Sequence, residues 1–312
     1  ALDAAPEGAS RPAWAESAGQ VRLTGSWAMS DVYGDQTEYI LSFAYDDEKL
    51  GGVPHAVCVL VDFNVGAVKD CWTALDPERI LADCRRSAAT DEDLLLGEVD
   101  PTIVRTTVAE LFAATDRLPE LPESQGLSEE RSAVLARVAT LPAPEQSDAA
   151  GTADGAQRVD RLVADFLAAP EGTVEGADRE ILEACVRLIA EYSVAENRPD
   201  PLRWSPVTVE MFLTDWAPRA AVIDDECVRW VPTVLAAFVT YAGRLSERPD
   251  RVVAATQEAV TTHLPIFAES MFGVDTENAT AAQVARQLIA DGIDPTDDAA
   301  VRAWLDSRLR PS

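Results

Sequence analysis

The sequence predicts an α+β protein: a small N-terminal antiparallel sheet followed by a larger, predominantly α-helical region. Three observations carry this. Between residues 38 and 72 lie three apolar runs of strand length, separated by Gly, Pro and acidic turn residues. From Asp76 onward, apolar residues recur at spacings of three and four behind residues suited to helix caps. No apolar run approaches the ~18–20 residues that cross a bilayer.

The elements follow in order. Residues 1–36, rich in Ala, Pro, Gly and Ser, read as a loosely ordered lead-in. Residues 37–141 hold the sheet and its helices. Glu38–Tyr45 is aromatic and β-branched and ends at the acidic turn Asp46-Asp47-Glu48. His55–Phe63 is an apolar run after Gly51-Gly52 and Pro54, and Ala67–Trp72 follows the break at Asn64-Val65-Gly66. Together they predict a three-stranded meander. Asp76-Pro77 and Asp100-Pro101 each pair an N-cap with Pro at the first helical position, where a missing N–H costs nothing. Ile103, Val104, Val108, Leu111 and Phe112 form one stripe, and Ser128 is placed to cap a helix through Val134, Leu135 and Val138.

Residues 142–156, with Pro, Ser, Gly and Asp, read as a linker or surface loop. The helical region then spans 157–312. Val159 to Leu167 and Ile181 to Tyr192 carry helical periodicity. Ser205-Pro206 starts a helix that Pro218 is expected to end, and Pro232 is expected near the start of the stripe Val231–Tyr241. Val252–Met271 reads as helical with a break at Pro265. Thr280-Ala281-Ala282-Gln283 fits a capping box, and a last helix is expected over about 299–309.

Composition narrows the function classes. A length of 312 residues suits one large or two moderate domains. The five cysteines, Cys58, Cys71, Cys84, Cys185 and Cys227, form no C-x-x-C pair and sit mostly in apolar contexts, so buried free thiols are expected. The first seven residues hold neither a basic nor an apolar stretch, so no secretory signal is expected and the protein is placed in the cytoplasm. The net charge is −28, from 54 acidic and 26 basic residues, of which only Lys49 and Lys69 are lysine. Both halves share it: residues 1–118 carry 21 acids against 9 bases. Such a field repels nucleic acid and anionic lipid, keeps the chain soluble and permits basic protein partners. An acidic nucleic-acid mimic is a third reading, which needs carboxylates laid out in phosphate-like rows.

The common catalytic signatures are missing. There is no G-x-x-x-x-G-K-[ST], no G-x-G-x-x-G and no G-x-S-x-G. His55 and His263 are too few for the usual zinc sites. The acidic runs at 46–48, 91–93, 224–226 and 297–298 lack the spacing of a calcium loop, and three of them are expected at helix starts, where carboxylates complement the dipole. No catalytic residue, metal or cofactor is assigned. Residues 280–309 look like two short helices around Gly292 and Pro295, but Asp297, Asp298 and Asp306 give them the wrong charge for DNA.

Two segments stand out. The first gathers Asp62, Asn64, Lys69, Asp70 and Trp72 around a glycine turn at a strand end. The second interleaves Trp204, Glu210, Asp215, Trp216 and Arg219. Core packing with helix capping accounts for them; the alternative is a surface for a partner or small ligand, since aromatics mixed with Arg make good anchors.

The pattern V-D-x-N-x-G-x-x-K-D, followed by W-S-P-x-x-V-E-x-F-L-x-D-W-x-P-R, resembles an uncharacterised protein family restricted to actinobacteria. The likeness covers most of residues 20–305, and the scarcity of lysine fits a high-GC genome. Where relatives have His after the strand Asp, this chain has Phe63, which weakens a general base there. The resemblance implies a cytoplasmic protein with no assigned reaction. A distant branch is linked to control of an assembling ParA-type partition ATPase. The expected function is therefore a non-enzymatic interaction or regulatory protein, and the alternative is an enzyme or small-ligand binder with a polar pocket near Asp62–Asp70.

Overall fold

The computed structural model describes residues 20–47, 49, 52–144, 155–197, 199–220 and 225–272, with isolated positions at 288, 289, 291–293, 300, 301 and 304. The protein is α+β. It divides into two compact units, Ala1–Ala149 and Ala150–Ser312. That division falls inside 142–156, of which 145–154 lie outside the described residues. Among the described residues no helix is long and apolar enough to cross a membrane.

The first unit is built on a five-stranded antiparallel sheet: β1 (Val21–Asp31), β2 (Gln36–Tyr45), β3 (His55–Asp62), β4 (Ala67–Ala74) and β5 (Leu94–Glu98), in the order β4-β3-β2-β1-β5. Between β4 and β5 runs α1 (Pro77–Thr90), and α2 (Pro101–Thr115), α3 (Gln125–Glu129) and α4 (Arg131–Val138) follow. One sheet face (Leu41, Phe43, Val57, Val59, Val61) packs on Val104, Val108 and Phe112 of α2 and Val134 and Val138 of α4. The other face meets α1 through Ile40, Cys58 and Cys84, with Trp27, Met29, Trp72 and Leu96 partly covered. Strands β2 and β3 are thus buried on both sides, which is why they read as continuous apolar runs rather than alternating ones.

Two strands depart from the expected meander. The lead-in expected over 1–36 gives way at Val21 to β1, which lies between β2 and β5. Leu23 pairs with Phe43 and Gly25 with Ser42, so Thr24 is an extra residue, a β-bulge. It switches the face on which apolar residues fall. Val21 and Leu23 lie with Ala28 on the α2 side, and Trp27 and Met29 lie on the α1 side. The period-two pattern is therefore broken in mid-strand. Strand β5 falls within what reads as helical sequence, but it is five residues long and pairs with β1.

The caps expected at Asp76 and Asp100 are present. Each carboxylate accepts a backbone N–H, from Arg79 (3.0 Å) and Thr102 (2.8 Å) respectively. Ser128 is not a cap: Ser124 caps α3, and α4 has no side-chain cap. In the α2 stripe Ile103 is exposed, and Thr115 instead completes the buried face. The acidic residues 91–93 follow α1 rather than start a helix.

The second unit is helical: α5 (Gly155–Ala168), α6 (Arg179–Ala195), α7 (Pro206–Met211), α8 (Ala217–Ala220), α9 (Asp225–Leu245) and α10 (Asp250–Phe272). Its core joins Phe166, Leu182, Ile189, Phe212, Val234 and Phe238, all buried. Three prolines behave differently from expectation. Pro218 lies inside α8, because the turn Phe212–Trp216 between α7 and α8 is a π-turn in which the Ala217 N–H reaches Phe212 C=O. Pro232 sits well inside α9 and Pro265 inside an unbroken α10. Pro265 is exposed, as is Thr261 one turn earlier, so the carbonyl left without a donor faces water. The capping box at Thr280 lies outside the described residues, as does most of the helix expected over 299–309.

Candidate functional site

The first expected segment forms the β3–β4 hairpin and its edge. Asp62, at the end of β3, accepts through Oδ1 from the amides of Asn64 (3.0 Å) and Val65 (3.2 Å). Its Oδ2 accepts from Gln36 Nε2 (3.1 Å). Gly66 closes the turn at φ 69°, where a side chain is strained. Asp62 and Asn64 thus sit at a turn, both half-buried. Phe63 joins the core. Lys69 is the extra residue of a second bulge, since Leu60 pairs with Asp70 and Val61 with Val68, and its side chain is exposed. Trp72 packs on the α1 side of the sheet.

Asp70 belongs to a different assembly. Strand β4 is an edge, and edge amides invite pairing with other chains. Side-chain oxygens occupy three of them. The Val68 N–H donates to Thr115 Oγ1 (2.9 Å), that of Cys71 to Asp70 Oδ1 (2.8 Å) and that of Thr73 to Glu130 Oε2 (2.6 Å). Ser124 Oγ donates to the same Asp70 oxygen while accepting from the Leu127 N–H (3.1 Å), so one serine caps α3 and ties it to the edge. Helix α3 sits so close that a Cβ on Gly126 would lie 1.8 Å from Cys71 O. Thr115, Ser124, Gly126 and Glu130 were not singled out from sequence, and no local pattern marks them.

The second segment lies in the second unit. Trp204 is buried, and Trp216 is partly buried against the same core. With Tyr192 and Phe212 they form a ring cluster at centroid distances of 5.2–5.9 Å. Ser205 is the expected cap before Pro206, and with Thr208 it forms a capping box, both buried. Glu210, Asp215 and Arg219 are exposed, the last two as an i,i+4 ion pair. The segment's tryptophans therefore serve the core, and its charges face solvent. The two segments belong to separate compact units.

Two clefts in the first unit lie elsewhere. One, of about 370 Å³, is bordered by Tyr45, His55, Thr73 and Arg137. His55 is buried beside Phe43 and Tyr45. Its Nε2 accepts from Arg137 Nε (2.8 Å), which places the ring proton on Nδ1, and Arg137 Nη2 donates to Tyr45 Oη (3.0 Å). Burial first, then the adjacent guanidinium, hold the His55 pKa below its ordinary value, against a backbone bond at Val53. The other cleft, of about 490 Å³, opens where α1 begins against β1 and β2. Trp27, Pro54, Leu75 and Leu81 line it, with exposed Asp76 and Glu78. Leu75 is 76% exposed.

All five cysteines are buried free thiols. Burial, with acidic neighbours, pushes Cys71 and Cys84 each up to about 11 and raises Cys58 as well. None of these three is poised as a thiolate nucleophile. Glu38, which accepts a hydrogen bond from Cys58, is itself raised by burial. Among the described residues no group of three or more His, Cys, Asp or Glu side chains is arranged to hold a metal ion. Compared with family models, with curated proteins and with solved structures, the chain has no significant match.

Proposed function

We propose that this is a non-enzymatic interaction or regulatory protein whose first unit takes an apolar side chain of a protein partner into the cleft at the start of α1. One observation carries the reading: Leu75, the most exposed large hydrophobic residue among the described residues, sits with Trp27, Pro54 and Leu81 around an open apolar cleft. Asp76 and Glu78 beside it, and the net charge of −28, favour a partner with Lys or Arg near its apolar anchor. An assembling partition-type ATPase, the partner the family resemblance implies, is the first to try.

The test is co-purification from native lysate and from a mixture with purified partition-type ATPase, using wild type and Leu75→Glu. A stoichiometric partner that the variant loses is the expected result. No such partner, or equal recovery with the variant, overturns the reading.

A further inference from the structure

The two edges of the five-stranded sheet are treated differently. On β4 the amides of Val68, Cys71 and Thr73 are each occupied by a side-chain oxygen, and α3 lies against the strand. On β5 the arrangement is open. Its pairing with β1 is flanked by the bonds Val99 N–H to Ser26 C=O (3.1 Å) and Val32 N–H to Asp93 C=O (2.9 Å). In an antiparallel ladder, residues at this parity (93, 95, 97, 99) turn their backbone groups toward β1, so Leu96 and Glu98 turn theirs outward. Among the described residues nothing caps the amides of Leu96 and Glu98. Leu95 is 53% exposed, and the space beside Gly97, where a Cβ would stand, holds no atom within 4 Å.

We infer that β5 is a strand-addition site for an extended partner segment in which Lys or Arg alternates with apolar residues. Main-chain bonds to Leu96 and Glu98 supply the pairing. The open space at Gly97, flanked by Leu95, seats a large apolar side chain of the guest, as aromatic and branched residues do opposite strand glycines. Charge selects the occupant. Asp91, Glu92, Asp93, Glu98 and Asp100 surround the strand, and no Lys or Arg occurs between Arg86 and Arg105. The same charge opposes a second copy, which would set Glu98 and its acidic neighbours against their own kind. This inference rests on the outward backbone groups of β5, which do not line the α1 cleft, although Trp27 of that cleft is the cross-strand partner of Glu98.

The test uses the full isotope-labelled chain and two hexapeptides, one alternating Lys with Val and one alternating Glu with Val. The Lys peptide should slow hydrogen exchange at Leu96 and Glu98, leave Cys71 and Thr73 unchanged, and bind about tenfold more tightly than the Glu peptide at low salt. Leu96→Pro, which deletes an outward N–H that the ladder to β1 does not use, should abolish the protection. Glu98→Arg, which keeps every backbone group, should erase the preference for the Lys peptide, so a folding failure of the proline variant leaves the test intact. Leu75→Glu should change nothing here, which separates this result from the fate of the cleft. The inference is overturned if neither amide is protected at millimolar peptide, if both peptides act alike, or if the amides are protected in the free chain, whether with rising protein concentration (pairing between copies) or independently of it.

Discussion

Replacing Gly126 by Ala tests whether the β4 edge is closed by close approach of α3. The backbone at Gly126 is helical and its φ is not positive, so nothing local requires glycine. Propensity alone predicts that Ala stabilises α3 by about 1 kcal/mol. The tertiary structure predicts the reverse. The new Cβ would stand 1.8 Å from Cys71 O, 2.5 Å from Asp70 Oδ1 and 2.9 Å from Cys71 C. Ordinary contact begins at 3.4 Å, so α3 must retreat by about 1.6 Å from backbone that β3 holds in place. That retreat strains or breaks two contacts, Ser124 Oγ to Asp70 and Cys71 Sγ to Gly126 O, worth about 0.5–1.5 kcal/mol each. Overpacking adds about 1–3 kcal/mol. Set against the propensity gain, a net loss of about 1–5 kcal/mol is expected. With a urea slope of about 1–3 kcal/mol/M, the midpoint for the first unit should fall by about 1 M. Hydrogen exchange should quicken at Cys71 and Thr73 and stay unchanged on β2. An unchanged or raised midpoint, with both amides still protected, would refute the reasoning.

The His55 and Ser205 predictions concern the two units separately. In the native first unit His55 is held neutral, whereas in the unfolded chain it takes a proton at its ordinary pKa of 6.5. The unfolded state therefore binds more protons below that value, and stability should be full above about pH 6.5 and fall as pH drops through it. Melting temperatures between pH 5 and 8 check this: His55→Gln should flatten the slope, and an unchanged slope would refute the reasoning. In the second unit, Ser205→Ala leaves the buried Thr208 N–H without its partner and should cost about 2 kcal/mol, whereas Asp178→Ala removes an exposed cap and should cost about 1. Equal losses in urea titrations of the two variants would count against the buried box.

Strands β2, β3 and β4 are legible because their apolar runs reflect burial, and the caps at Asp76, Asp100 and Ser205 are legible because a cap is made within three residues. The same local reasoning fails on β1, where the bulge at Thr24 exchanges the faces, and on β5, whose five residues carry too little period to separate strand from helix. It fails at Pro218 and Pro265, where a π-turn and an exposed helix face absorb what isolated proline chemistry forbids. The site candidates divide likewise. Asp62 at a turn follows from its neighbours. The task of Asp70 depends on Ser124, 54 residues away, and that of Thr73 on Glu130, 57 residues away.

By itself the sequence determined the α+β class, the net charge of −28, the buried thiols and the helix starts at Asp76, Asp100 and Ser205. Each is set by composition or by interactions spanning a few residues. Only the tertiary structure decided that the polar cluster after β3 goes to a turn and a closed sheet edge, that Trp204 and Trp216 belong to a core, and that β5 turns the backbone groups of Leu96 and Glu98 away from β1. The reason is physical. Whether a carboxylate, an indole or a backbone N–H is available to a partner depends on what the fold brings within hydrogen-bonding or packing distance, and those neighbours come from tens of residues away.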